Sequence, residues 1–161
     1  MSLDFLSPDR ATDEAVWRSP LARGLAHAPE GIEDVSRIGV LDVRGHLDDL
    51  EEGEVVRLTA ARSLVFCAPE DTALVRARLR TDGFRPLDLS AGYAGLRIEG
   101  EAVLRRLTDL DLDELPAVGP VAHVQAVVLR DGEESFRLFF PQEYGDYMAE
   151  AVLDAAGGLT P

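Results

Sequence analysis

The sequence predicts a single α+β domain, one mixed or mostly antiparallel sheet with helices packed on one face. Three observations carry that prediction. From Ser36 onward, runs of period two alternate with runs of period near 3.6, in the order βββαββαββα. Asp131-Gly132 stands between two alternating apolar runs. That dipeptide is the chain's clearest hairpin signal, and a hairpin requires antiparallel pairing. The strand–helix–strand stretches in turn demand either parallel neighbours or split units with a strand inserted between them. At 161 residues and 46% hydrophobic content, the chain is long enough to bury one core.

Residues 1–35 read as an N-terminal arm and residues 36–161 as the domain. Pro8, Pro20 and Pro29 punctuate the arm. A short helix is expected across Asp13–Ala26, broken near Arg18 because Pro20 is tolerated only in a first turn. Trp17, Leu21 and Leu25 recur every four residues as one apolar stripe. For Trp17, the only tryptophan, two readings stay open. It folds back on its own domain, or it anchors a partner, as tryptophans at interface hot spots do. Trp17 and Leu21 are therefore the candidate partner-docking residues.

The domain begins with RIGVLDVRG, a strand with Ile38, Val40 and Leu41 or Val43 inward. An acidic turn (Asp48, Asp49, Glu51, Glu52, Glu54) leads into the next strand. ARSLVFCAP is almost wholly apolar and reads as a central strand buried on both faces. The helix after Pro69 and Asp71 has early acids, late arginines and Gly83 as its C-terminal cap, with Leu74, Val75 and Leu79 on its apolar face. FRPLDLS enters a strand, and YAGLRIE alternates Ala94, Leu96 and Ile98 against Tyr93, Gly95, Arg97 and Glu99. Gly100 opens a helix carrying Val103, Leu104, Leu107 and Leu110. ELPAVGP reads as a loop, VAHVQAVVLR as a strand with His123 inside it, and SFRLFFP as its hairpin partner. Pro141 starts a last helix on which Tyr144, Tyr147, Met148, Ala151, Val152 and Ala155 share a face, and Gly157-Gly158 stops it.

Charge and composition exclude several functions. Thirty acidic against sixteen basic residues give a net charge of −14. That disfavours nucleic acid, where phosphate neutralisation supplies most of the affinity, and anionic membrane surfaces. No apolar run approaches the ~18 residues of a membrane span, and MSLDFLSPDR lacks the apolar core of a secretory signal. The expected location is cytoplasmic. The basic residues are all arginine, so neither a Schiff-base lysine nor a P-loop lysine exists. The lone Cys67 can form no internal disulfide and no cysteine-based zinc site, and reads as a small buried hydrophobe. His27, His46 and His123 are far apart in sequence, so no metal centre is expected. The acidic turn lacks EF-hand spacing, and no G-x-S-x-G or G-x-G-x-x-G is present. No catalytic residue is assigned.

The segment PLDLSAGYAGLRIEGEAVLRRLTDLDLDELP resembles one shared by folate-binding aminomethyltransferases such as the glycine cleavage T-protein. Asp88-Leu89-Ser90 matches that family's D-[VL]-S, Gly100 its G-x-x-A helix, and Asp111 falls near its acid-bearing turn, with Leu110 where asparagine is usual. Within the superfamily the chain is similar to the gamma subunit of heterotetrameric sarcosine oxidase. The likeness rests on Arg18–Ala22 (RSPLA) and on the hairpin residues Val128, Leu129, Arg130, Gly132, Glu133, Ser135, Phe136 and Arg137. The resemblance implies a domain like the N-terminal folate-binding domain of T-protein. It also implies a noncatalytic subunit of a bacterial complex that demethylates sarcosine to glycine and passes the one-carbon unit to tetrahydrofolate. FAD, FMN, NAD and tetrahydrofolate would then sit in larger partner subunits, with none in this chain. Asp88 and Asp111 are the candidates for a residual folate pocket. The family's aspartate pair is replaced by Val124-Gln125, which removes its acid–base and electrostatic help. The rival readings are a stand-alone tetrahydrofolate-binding protein or small aminomethyltransferase, and self-association of the isolated chain stays open.

Overall fold

The computed structural model describes residues 17–158. Its elements are β1 (Ile32–Asp34), β2 (Gly39–Arg44), β3 (Glu54–Thr59), β4 (Arg62–Cys67), α1 (Thr72–Thr81), β5 (Leu87–Asp88), β6 (Tyr93–Glu99), α2 (Glu101–Arg105), β7 (Ala117–Val121), β8 (Val124–Arg130), β9 (Ser135–Pro141) and α3 (Gly145–Gly157). The named strands pair antiparallel throughout. The α+β class therefore stands, but the strands divide into two sheets: a large one ordered β1-β6-β9-β8-β7 and a small one ordered β3-β4-β2-β5.

The division follows from strands that are apolar on both faces. Val40, Leu64 and Phe66 of the small sheet meet Val127, Leu129 and Phe139 of the large one in a shared inner cluster. The alternate positions Leu41, Val43, Val65 and Cys67 turn outward against Val75 and Leu79 of α1. On the large sheet, Ala126, Val128, Phe136, Leu138 and Phe140 turn outward against Val103 and Leu104 of α2 and Met148 and Val152 of α3. Four layers result: α1, small sheet, large sheet, then α2 with α3. Each sheet keeps its helices on one face, as expected, and gives its other face to its partner sheet. Phe66 and Phe139 stack across the inner layer with ring centres 4.6 Å apart. Such pairs add about 0.5–1.5 kcal/mol beyond the area they bury.

The crossover question is resolved by splitting. β4 and β5 flank β2, and both pair with it antiparallel. The β4–α1–β5 crossover therefore spans an intervening strand rather than joining parallel neighbours.

Several expectations are corrected. Residues 20–27 form consecutive turns instead of a helix, with Leu25 N donating to Leu21 O at 2.9 Å. The start of that expected helix, residues 13–16, lies outside the described residues. β1 falls within the stretch assigned to the arm, and it pairs with β6 as an edge of the large sheet. Leu74 is 60% exposed, because the buried stripe of α1 runs through Val75 and Leu79 at i, i+4. α2 ends at Arg105, while Leu107 and Leu110 still pack on the core beyond it. AVGPV, read as part of a loop, forms the edge strand β7. Its Pro120 is tolerated because an edge strand leaves one row of N–H groups unpaired. His123 lies in the tight β7–β8 turn and not within a strand. Ala122 and His123 adopt φ of 45° and 65° there, the left-handed pair of a type I′ hairpin turn.

Candidate functional site

Two of the singled-out residues meet at the β5 edge of the small sheet. Trp17, Ile38, Pro69, Thr72, Asp88 and Ser90 line an open cavity of about 450 Å³. The Asp-Leu-Ser motif shapes it by local bonding. Asp88 Oδ1 accepts from Ser90 N (3.1 Å) and from Ser90 Oγ (2.7 Å). Ser90 Oγ in turn accepts from Val40 N at 3.0 Å, and Leu89 N donates to Val40 O at 2.8 Å. The motif thus pins the short β5 edge to β2. Arg76 of α1 reaches Asp88 Oδ2 at 3.5 Å. The hydroxyl of Ser90, followed by its N–H and the Arg76 charge, holds the Asp88 carboxyl below the usual carboxylate range against a smaller desolvation effect. This acid is ionised at neutral pH and committed to the turn.

Asp111 is elsewhere. It precedes β7 of the large sheet, and its side chain accepts from Asp113 N at 3.0 Å, capping the turn 112–114. Arg130 secures the same turn by donating to Leu112 O at 2.7 Å. The two candidate folate-pocket acids therefore lie apart, Asp88 on β5 of the small sheet and Asp111 in the turn before β7, and each serves its own turn. On β8, Val124 is buried and Gln125 is exposed opposite Pro120 of β7.

The docking pair also separates. Trp17 is 56% exposed at the rim of the cavity, whereas Leu21 is fully buried against the outer face of the large sheet. Leu21 is thus corrected from docking candidate to core residue. The turns at 20–27 fold its side chain inward, and Arg23 pairs with Asp146 of α3 to hold them there.

A buried acid lies in β2, outside the lining of that cavity. Asp42 lies in the otherwise apolar β2, on its inner face and only 7% exposed. Arg62 grips it in a two-pronged bond, Nε–Oδ1 3.0 Å and Nη2–Oδ2 2.9 Å. That bond raises the Arg62 guanidinium further, and burial pushes the nearby Tyr93 phenol up. A lone acid in a strand whose neighbours are all buried was the available clue. Cys67 is buried, and desolvation pushes its thiol up, which favours packing over reactivity. Among the described residues no three His, Cys, Asp or Glu side chains gather as a metal site. No described helix is long and apolar enough to cross a membrane.

No protein-family model matches the chain, and no curated protein matches it by sequence. Solved structures do. The chain superposes on a chain of heterotetrameric sarcosine oxidase from Corynebacterium sp. U-96, in complex with pyrrole 2-carboxylate, with a TM-score of 0.72 and 21% identity, covering 91% of this chain and 98% of that one. It also superposes on glycine cleavage system aminomethyltransferase T from Bartonella henselae, with a TM-score of 0.57 and 18% identity, covering 87% of this chain and 52% of that one. The fold is therefore the one shared by these aminomethyltransferase-like neighbours, and the chain spans about half the length of the transferase.

Proposed function

We propose that the chain is a noncatalytic, gamma-type docking subunit of a heterotetrameric sarcosine-oxidase-type complex, one that demethylates sarcosine to glycine and passes the one-carbon unit to tetrahydrofolate. One observation carries the reading. The match to the sarcosine oxidase chain covers 91% of this chain and 98% of that one, while the match to the transferase leaves nearly half of that enzyme uncovered. A whole subunit of that size is a better template than a fragment of a larger enzyme.

The geometry supports a docking role. The acids that resemblance marked as folate candidates are spent on turns, and the half-exposed Trp17 rims a cavity at a sheet edge. Trp17 would be the anchor and the larger subunits the partner, with FAD, FMN, NAD and tetrahydrofolate bound in them. Co-expression with large sarcosine-oxidase-type subunits tests this. The expected outcome is stoichiometric co-elution, with sarcosine oxidation found in the assembled complex and absent from the isolated chain. Failure to co-elute overturns the proposal. Calorimetry of the isolated chain separates the rival: a stoichiometric tetrahydrofolate Kd below about 10 μM favours a stand-alone folate-binding protein.

A further inference from the structure

A second cavity, of about 430 Å³, lies at the opposite layer of the molecule, between the end of α2, the β7–β8 turn and α3. Its charged and titratable walls are Arg105, Arg106 and Asp109 from α2 and its exit, His123 from the turn and Tyr147 from α3. Two guanidiniums and an imidazole face a single carboxylate there, on a chain whose net charge is −14. Arg105 is offset by Glu101, whereas Arg106 has no carboxylate partner among the described residues.

The turn that presents His123 is built against its own preference. Type I′ turns favour Asn-Gly, Asp-Gly or Gly-Gly, because both central residues need positive φ. Here Ala122 and His123 take those places. The surroundings hold them: Ala122 N donates to Leu107 O (2.7 Å), Tyr147 Oη donates to Ala122 O (2.9 Å), and Thr108 Oγ1 donates to Pro120 O (2.7 Å). Non-glycine residues kept at positive φ by such over-determination cluster at functional sites. The effect is to fix the backbone that presents His123 at the cavity wall, alongside Arg105 and Arg106.

The arginines suit a ligand. Arg106 Nη1 donates to Ala155 O at 3.0 Å, which anchors its guanidinium between α2 and the end of α3. Arg105 is exposed and pairs with Glu101 at 2.6 Å. Arg130 also reaches Glu101, at 3.6 Å. Glu101 therefore has a second cationic partner besides Arg105.

We propose that this cavity binds a small oxyanion, a phosphate or carboxylate group held between Arg105, Arg106 and His123. Planar guanidiniums match both groups in two-pronged geometry. The proposal stands independently of the subunit reading above. The exposed walls set a weak affinity, with Kd on the order of 1 mM.

The chain's three histidines make the test direct. The imidazole C–H signals of the full-length protein are followed by NMR while inorganic phosphate, and separately citrate, is added at constant ionic strength. His123→Gln assigns the relevant signals. Saturable movement of the His123 signals alone, with His27 and His46 unmoved, is expected with at least one of the two anions, and the one that acts identifies the group. Arg105→Gln is expected to raise the midpoint about fivefold. Movement of all three histidines together, no saturation by ~50 mM anion, or an unchanged midpoint in Arg105→Gln overturns the site.

Discussion

Trp17 and Leu21 stand four residues apart, and the structure assigns them opposite fates. Leu21 is fully buried among the outer-face residues of the large sheet, while Trp17 is more than half exposed. Truncating a buried leucine costs about 2–5 kcal/mol, the lost transfer energy plus the cavity left behind. For a domain of this size each kcal/mol lowers Tm by about 2–4 °C, so Leu21→Ala should melt about 4–20 °C below the parent. Complete burial of a large apolar side chain is worth about 1.5–3 kcal/mol, and less than half of Trp17 is covered. Trp17→Ala should therefore cost the isolated chain about 1 kcal/mol, a fall of about 2–4 °C. Its exposed part, somewhat over half of the side chain, offers a partner about 1–2 kcal/mol of apolar burial on the same scale, and hot-spot tryptophans add packing gains to that. Loss of about 2 kcal/mol in complex affinity, near thirtyfold, is the expected net. The assays are a melting scan of each isolated variant and a titration against the co-expressed large subunits. The reasoning fails if Trp17→Ala melts as low as Leu21→Ala, or if it leaves partner affinity within about twofold of the parent.

Three further outcomes are expected. An ideal Cβ at Gly95 would lie 2.6 Å from Phe139 Cε1 and 2.9 Å from Val35 O; with backbone on one side and a buried ring on the other, Gly95→Ala should lose about 1–3 kcal/mol or more, read by urea denaturation. Asp88 has its folded-state pKa lowered, so its stabilisation is present above the unfolded carboxylate value and is lost as pH falls through the folded one. The Tm gap between parent and Asp88→Ala should accordingly be full at neutral pH and close on acidification, and a gap independent of pH would refute the charge-based account. Ala122→Gly relieves an alanine at φ 45° and should raise stability by about 0.5–1 kcal/mol, whereas a fall in Tm would mean that the turn is not strained.

What could be read from the sequence was what local chemistry determines. Asp131-Gly132 gives the β8–β9 hairpin, and Gly83 closes α1 in a positive-φ turn. The spacing of Met148, Val152 and Ala155 gives the buried stripe of α3. The number of layers was not readable, because Val40 and Leu41, or Phe66 and Cys67, are equally apolar yet face different clusters. Periodicity reports that both faces are buried, not what buries them. β7 was masked by Gly119 and Pro120, and its turn by the absence of Asn or Gly at 122 and 123. The burial of Leu21 depends on Met148, Ala149 and Val152 of α3, more than a hundred residues away. Of the candidate site, the Asp-Leu-Ser motif was visible as letters, but its role in pinning β5 to β2 needed the register.

The order of the strands also sets a timetable. β2 to β5 with α1 form a continuous block of chain, residues 39–88, and complete the small sheet from local material. The large sheet is assembled from the two flanks of that block, with β1 on one side and β6 to β9 on the other. A ribosome adding about 5–20 residues per second leaves β1 without its neighbour β6 for several seconds, and leaves Leu21 uncovered until α3 emerges later still. The small sheet can fold during that interval with its inner face bare. Val40, Leu64 and Phe66 then await Val127, Leu129 and Phe139, so the apolar layer at the centre of the finished molecule stays open to neighbouring nascent chains until β8 and β9 emerge.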